Sequence, residues 1–268
     1  MALNSYKLRI RRFVNRLARG QLIAIYRQLG RHATDHYLGQ QITYDPSTDI
    51  GKSLFFFGQF ERSDMELCKE YITENSIVLD IGANIGLHSI YFSGLVKEGC
   101  VLAFEPSLET FCLLANNVAH ISNIVPINLA VSDKGKIADF FHTSDNAYSS
   151  LMDTKRKEVV SVIKVPCMTV DDVVSGLCLD RVDFVKIDVE GMEFSVLRGM
   201  AEVISNHRPV IFCEIYKGTH SNQRPDETVR YLLERGYSAH VIYDGKLVEY
   251  EGHNDTFYNY LFLPSELK

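Results

Sequence analysis

The stretch VKIDVEGMEF, residues 185–194, ends an apolar run and then sets Lys186, Asp188, Glu190 and Glu193 within eight positions. Side chains alternate along a strand, so Phe184, Lys186 and Asp188 share one face, and Val185 and Ile187 the other. A lysine inside a parallel strand needs a carboxylate, because an unpaired buried ion costs several kcal/mol. Asp188, Asp80 on the strand expected alongside, and Glu214 at the end of the following strand are the available partners. Carboxylates at the carboxyl end of a parallel sheet stand where side chains stop being core and line a ligand crevice. There they can take a proton from a hydroxyl. Asp188 is the first candidate for that base and Glu190 the second; Lys186 would set the carboxylate's charge and orientation. The purely structural alternative makes Asp188 a helix cap and Glu190 and Glu193 favourable first-turn charges, and for Glu193 that alternative is preferred.

A second constellation lies upstream. In VLDIGANIGLHS, Asp80 ends a strand, Gly82 and Gly86 flank Ala83-Asn84-Ile85, and a helix follows. Glycines at such a turn permit positive φ and close backbone approach, and the helix N–H groups attract an anion. The G-x-x-x-G spacing departs from the dinucleotide fingerprint and brings no P-loop lysine, so a pyrophosphate is disfavoured. Further along, Glu105 in VLAFEPS ends the next strand, where a carboxylate can accept from both hydroxyls of a ribose. Loop plus acid implies an adenosine-type ligand. NAD and S-adenosylmethionine both supply a ribose; the latter, a sulfonium zwitterion without phosphate, suits an Asp-bearing loop without lysine.

These residues need strands that end together. Strand-like 76–81, 101–105 and 125–131 alternate with helices near 87–96 and 108–120, the rhythm of successive βα units in a parallel sheet. Two strands, 137–142 and 159–165, joined by a polar loop at 145–157, interrupt the alternation as an inserted hairpin or edge excursion. The rhythm resumes with helix 169–175, strand 182–188, helix 192–205, strand 209–215 and helix 225–234. Strands 237–243 and 258–263 have no helix between them and are expected to be antiparallel neighbours. Near the amino terminus, a turn-forming region at Tyr44–Ser47 and the aromatic run Leu54–Phe57 precede a helix at 62–73.

A chain of 268 residues with 46% hydrophobic content can bury one large core. Its six cysteines form neither a C-x-x-C pair nor a zinc-spaced cluster, which points to a reducing compartment and a cytoplasmic protein. Residues 1–34 carry eight basic side chains and no acidic one, leaving 20 basic against 34 acidic in the remainder. A helix through this tail would gather Ile10, Phe13, Val14, Leu17, Ile25 and Leu29 near one side, with arginines around it. Such a helix can lie on an anionic membrane surface through residues 1–31, at the inner face, or dock on the protein's own acidic body. The expected organisation is a basic amphipathic helical extension over 1–50 and a catalytic domain over 51–268. Nucleic acid is not expected as a substrate, because the body is acidic.

Together VLDIGANIGLHS, AFEPS, NLAVSD and VKIDVEGMEFSVLRGM resemble the FkbM family of S-adenosylmethionine-dependent O-methyltransferases over roughly residues 55–215. His88 stands where an aromatic residue is commoner in the family. The resemblance implies an α/β class I methyltransferase fold, Rossmann-like, with a seven-stranded mostly parallel sheet and helices on both faces. It implies cofactor contacts at Asp80, Gly82, Ala83, Asn84, Gly86 and Glu105, with Pro106 beside it. In that fold the residues after the third strand flank the adenine, which makes Ala130, Val131, Ser132 and Asp133 candidates, although Asp133 in SDKG is also an ordinary turn residue. The implied reaction moves a methyl group to a hydroxyl of a sugar, glycolipid or natural product, for which Asp188, Glu190 and Lys186, from the strand-end reading above, are the candidate catalytic residues. Asp188, Glu190, Glu214 and His142 could also offer ligands to Mg²⁺, though no metal site is favoured. The polar loop 142–151 has the hydroxyls and amide of a sugar-binding or lid segment. Rival readings are an NAD-dependent oxidoreductase and a non-catalytic S-adenosylmethionine-binding domain.

Overall fold

The computed structural model describes residues 32–215, 225–252 and 256–267, together with residue 23. The expected basic helix over 1–31 otherwise lies outside the described residues. The chain divides into two compact units, Met1–Phe60 and Glu61–Lys268. In the first, β1 (Ala33–Tyr37) and β2 (Gln40–Tyr44) form an antiparallel hairpin, so this part of the expected helical extension is strand. Its turn, Leu38-Gly39, has positive φ at both residues, which matches the twist of paired strands and imposes the hairpin. The aromatic run that follows closes a helix, α1 (Asp49–Phe57), which starts where the Thr48 side chain accepts from the Gly51 N–H.

The second unit begins with α2 (Arg62–Cys68) and is built on one eight-stranded sheet. Its strands are β3 (Ile77–Ile81), β4 (Cys100–Phe104), β5 (Ile124–Ile127), β9 (Phe184–Ile187), β10 (Val210–Glu214), β11 (Tyr237–Tyr243), β12 (Lys246–Glu249) and β13 (Asn259–Pro264). They lie in the order β5-β4-β3-β9-β10-β13-β11-β12, parallel from β5 to β10 and antiparallel beyond. The expected seven strands gain β12, which pairs with β11 across the two-residue turn Asp244-Gly245. Three of its four residues are exposed, so it carries no apolar alternation to betray it.

Helices α3 (Leu87–Ser93) and α4 (Leu108–Val118) cross between β3, β4 and β5. The expected strand 125–131 is two: β5 stops at Ile127, and β6 (Ala130–Val131) joins a separate three-stranded sheet with β7 (Lys136–Thr143) and β8 (Val159–Met168), in the order β6-β8-β7. The predicted hairpin is the antiparallel β7–β8 pair of that sheet.

The expected helix 192–205 is also two, α6 (Glu193–Arg198) and α7 (Ala201–Asn206). Gly199 sits against the Ser132 backbone so closely that a Cβ would overlap its carbonyl. The carboxylate of Asp171, on α5 (Val170–Gly176), accepts from the N–H groups of Glu202 and Val203 at 3.1 and 3.0 Å and caps the new helix from outside. On the sheet face toward these helices, Val185 and Ile187 pack in one core with Val196, Leu197, Met200 and Ile204. Each such buried aliphatic contributes about 1.5–3 kcal/mol. The last long helix is α8 (Pro225–Leu233). Among the described residues no helix is long and apolar enough to cross a membrane.

Because Gly199 meets backbone while Gly176 meets nothing within 4 Å, Gly199→Ala should lower the unfolding free energy by about 1–3 kcal/mol. Gly176→Ala should leave it unchanged or raise it by up to about 1 kcal/mol. Urea unfolding of the two variants measures both.

Candidate active site

From β3 the chain runs outward through β4 and β5 on one side, then returns to lay β9 and β10 on the other. The order reverses between β3 and β9, and a parallel sheet opens its crevice at the carboxyl ends of such a pair. Asp80 and Lys186 are register partners across this boundary, as are Ile81 and Ile187. The loop after β3 and the turn after β9 therefore leave the sheet side by side. At Gly82, φ is +81°, and a Cβ would run into the Asp188 carbonyl oxygen. This glycine is required by contact between two chain segments, in addition to any ligand.

Lys186 is the hub. Only 2% of its side chain is exposed, and its Nζ donates to the Gly82 carbonyl at 3.0 Å, with Asp188 Oδ2 at 3.2 Å and Asp80 Oδ1 at 3.4 Å. Burial opposes its charge, but Asp188 and Asp80 outweigh burial and hold the ammonium protonated. Asp80 is fully buried; its other oxygen accepts from Ser89 Oγ at 2.5 Å, so it braces the loop from below. Asp188 differs: 25% of its side chain is exposed, at the crevice end of the strand. The N-cap of α6 is Met192, so Asp188 does not cap that helix.

The other carboxyls around Asp188 hold their protons unusually well. Burial, then Asp188, raises Glu61 and Glu190 each to about 8, and burial raises Glu193 to about 7. Glu214, half-buried at the end of β10, is raised well above its ordinary value by burial, Asp188 and Glu61. Glu193 Oε1 accepts from the Gly191 N–H at 2.8 Å, fixing the turn in which Glu190 and Gly191 both have positive φ. Burial and then Lys186 push His88 down to about 3, and its Nε2 lies 3.5 Å from Glu61 Oε2; near pH 7 this pair is neutral on both sides.

On the opposite side of the loop, Glu105 is buried, and burial raises it to about 7. Its two oxygens accept from the backbone N–H groups of Asn84, at 3.1 Å, and Ser107, at 2.9 Å. A carboxylate offers about four acceptor sites, so two remain for a ligand. Asn84, at φ +49°, has a buried Oδ1 without a hydrogen-bond partner. Ala83 and Gly86 complete the loop; a Cβ on Gly86 would press on Leu114 of α4. Pro106 follows Glu105, and the carbonyls of both accept from Asn128 Nδ2 at 3.0 and 2.9 Å.

Since β5 stops at Ile127, Asn128 occupies the position directly beyond the strand. Val131 and Ser132 are buried in or beside the second sheet, where the Ser132 N–H donates to the Met168 carbonyl, and Asp133 faces Arg198 at 3.7 Å.

Several residues of this arrangement escape a reading of motifs. Arg156 pairs with Glu190, the Arg156 guanidinium lies over the Tyr148 ring at 4.4 Å, and Ser150 Oγ donates to the Val189 carbonyl at 3.0 Å. The β7–β8 loop is thus moored to the turn after β9. The signal that could have found Arg156 is electrostatic, the need of a buried Glu190 for a cation, and it does not say which of the chain's basic residues supplies it. Glu61 carries no motif signal at all, and Ser89, although it closes the stretch VLDIGANIGLHS, is given no role by the sequence. His142 lies 3.6 Å from Glu109; among the described residues no group of three or more His, Cys, Asp or Glu side chains is placed to hold a metal ion.

The family description "Methyltransferase FkbM domain" matches residues 80–239, which spans both the Asp80 loop and the Lys186–Glu193 turn. The chain belongs to the FkbM methyltransferase family. Among relatives, it is 27% identical over 183 residues to hexuronic acid methyltransferase AglP of Haloferax volcanii, covering 68% of this chain and 71% of that one. It is 25% identical over 162 residues to methyltransferase sdnD of Sordaria araneosa, covering 49% and 62%. A solved S-adenosylmethionine-dependent methyltransferase from Aquifex aeolicus aligns with a TM-score of 0.41 at 16% identity, over 82% of this chain and 97% of that one.

The methyl donor of this family is S-adenosylmethionine, and the FkbM site fits it. Glu105 retains acceptor sites for ribose hydroxyls, Asn84 Oδ1 is a buried acceptor without a partner, and residues 80–89 contain no lysine or arginine to neutralise a phosphate. When bound, the cofactor supplies an electrophilic methyl group on a cationic sulfur.

The raised carboxyls set a pH dependence. Glu193 keeps its proton in the folded state to about pH 7, whereas in the unfolded chain it loses it near pH 4.3. Between those values the unfolded state binds fewer protons, so stability falls as pH rises. Urea unfolding midpoints should therefore fall between about pH 5 and 7, and Glu193→Gln, which keeps an acceptor for Gly191, should flatten that fall.

Proposed function

We propose that this FkbM methyltransferase transfers the methyl group of S-adenosylmethionine to a hydroxyl of a sugar or glycan, with Asp188 as the general base. The observation that carries this reading is the placement of Asp188: a partly exposed carboxylate at the switch point, held by Lys186, on the strand beside the cofactor loop. Displacement at a methyl carbon needs the incoming oxygen in line and roughly 3–3.5 Å away. An aliphatic hydroxyl is a poor nucleophile, so a carboxylate that accepts its proton as the bond forms contributes about 10²- to 10⁴-fold.

Lys186 acts through Asp188 by fixing the carboxylate's orientation, and Glu190, engaged by Arg156, shapes the same turn. Glu105 binds the ribose, with Gly82, Ala83, Asn84 and Gly86 forming the loop against which the cofactor lies. The named substrate of AglP, a hexuronic acid, supports a sugar acceptor.

Methyl-labelled cofactor incubated with fractionated extract from the source cells should label a carbohydrate-containing product. Asp188→Asn should lower the labelling rate by about 10²- to 10⁴-fold while S-adenosylhomocysteine still binds. Unchanged turnover would remove Asp188 from the base role. Separately, Glu105→Gln should weaken S-adenosylhomocysteine by about tenfold or more, the loss of a charge-assisted hydrogen bond of about 1.5–3 kcal/mol, read by calorimetry.

A further inference from the structure

A cavity of about 580 Å³ opens beside the crevice, on the far side of Glu214 from Asp188. Its walls are Ser63 and Asp64 in the first turn of α2, Tyr243 and Asp244 where β11 turns toward β12, and Tyr258 and Asn259 where β13 begins. The volume lies within the range of small-molecule sites.

Its position follows from strand register. Asn259 is the partner of Glu214, and the Ile215 N–H donates to the Tyr258 carbonyl at 2.7 Å, so the mouth of the cavity continues the carboxyl edge of the sheet past β10. Asn259 Nδ2 donates to Asp64 Oδ2 at 2.5 Å and joins α2 to that edge. From β9, which carries Asp188 at its end, to β13 is two strand spacings, or about 10 Å. A group held there is too far from Asp188 to be the one that gives up its proton. It is at the right distance to be the next unit of the same acceptor.

The lining indicates the kind of unit. Among the described lining residues there is no lysine, arginine or histidine, while Asp64 and Asp244 contribute carboxylates, so an anionic group would meet like charge. Tyr243 and Tyr258 are 55% and 47% exposed and offer apolar ring faces with a polar tip. Ser63, Thr256 and Asn259 add hydroxyl and amide groups. Aromatic faces among hydrogen-bonding groups, with no cation, suit a polyhydroxylated, uncharged ring.

We propose that this cavity is a distal acceptor subsite that holds an uncharged sugar unit adjacent to the one being methylated. The proposal rests on the sugar-hydroxyl reading above and adds that the acceptor is at least a disaccharide, whose second ring is neutral even if the methylated ring is not.

The test uses the full chain saturated with S-adenosylhomocysteine and titrated with maltose, cellobiose and mannobiose, their methyl monosaccharides, and a disaccharide of two glucuronate units. At least one neutral disaccharide should bind about tenfold tighter than its monosaccharide. Tyr258→Ala, or Tyr243→Ala on the exposed end of β11, should abolish that gain while leaving monosaccharide and S-adenosylhomocysteine affinity unchanged. The subsite is overturned if no neutral disaccharide outbinds its monosaccharide, if the diglucuronate binds as well as the neutral pairs, or if the gain survives both tyrosine variants. Failure of the wild-type protein to hold S-adenosylhomocysteine would instead overturn the methyltransferase reading, and the subsite with it, so the two failures are distinct.

Discussion

A protonated lysine in the interior of a parallel sheet is the constraint around which this site is arranged. Lys186 has almost no access to water, and its charge is compensated by Asp80 beneath the glycine loop, Asp188 at the crevice and the Gly82 carbonyl between them. Desolvating an ion costs several kcal/mol, and removing one partner of such a cluster costs about 3–5 kcal/mol because the others are left unpaired. An apolar residue at this position would be easier to bury. What the ammonium adds is geometry: one Nζ fixes, to within a hydrogen bond, the glycine loop after β3 and the carboxylate at the crevice, the two parts proposed to hold the cofactor and face the acceptor.

That geometry propagates outward. The loop is pinned a second time by Glu105, which accepts from Asn84, and the strand holding Glu105 is tied at its end by Asn128. The turn after β9 is pinned by Glu193 through Gly191 and by Arg156 through Glu190. Gly82 lets the two segments touch. Burial, and then the like charge of Asp188, raises Glu61 and Glu190 to about 8 and Glu214 well above its ordinary value. The crevice therefore carries less negative charge than its composition suggests, and the charge that remains is concentrated near Asp188 and its lysine.

Much of this was legible in the sequence where a residue breaks a local pattern. Lys186 interrupts an apolar strand, and the demand for a carboxylate partner led directly to Asp80 and Asp188; Gly82 and Glu105 ended strands at positions where only turn or ligand chemistry makes sense. Glu214, also considered, stays one strand away. Features without a local pattern were not legible. The Gly199 break depends on Ser132, distant in sequence, and a helical pattern continues straight through it. The short exposed β12 has no period-2 signal, and the early end of β5 is marked only by Asn128 in an otherwise apolar stretch that continues into a different sheet. Glu61 and Arg156 reach the site from segments that look like ordinary surface, and their importance comes only from what tertiary folding sets beside them.

The direct measurement of the central claim is a calorimetric titration of S-adenosylhomocysteine into the wild-type protein and into cooperatively folded Lys186→Met. Lys186 donates to the glycine loop from beneath, so an effect of its removal on the ligand would pass through Gly82 and Asp80. If the buried ammonium shapes the loop, the variant should bind at least about tenfold more weakly, a loss of about 1.4 kcal/mol or more. Equal affinity in the two proteins would contradict the account.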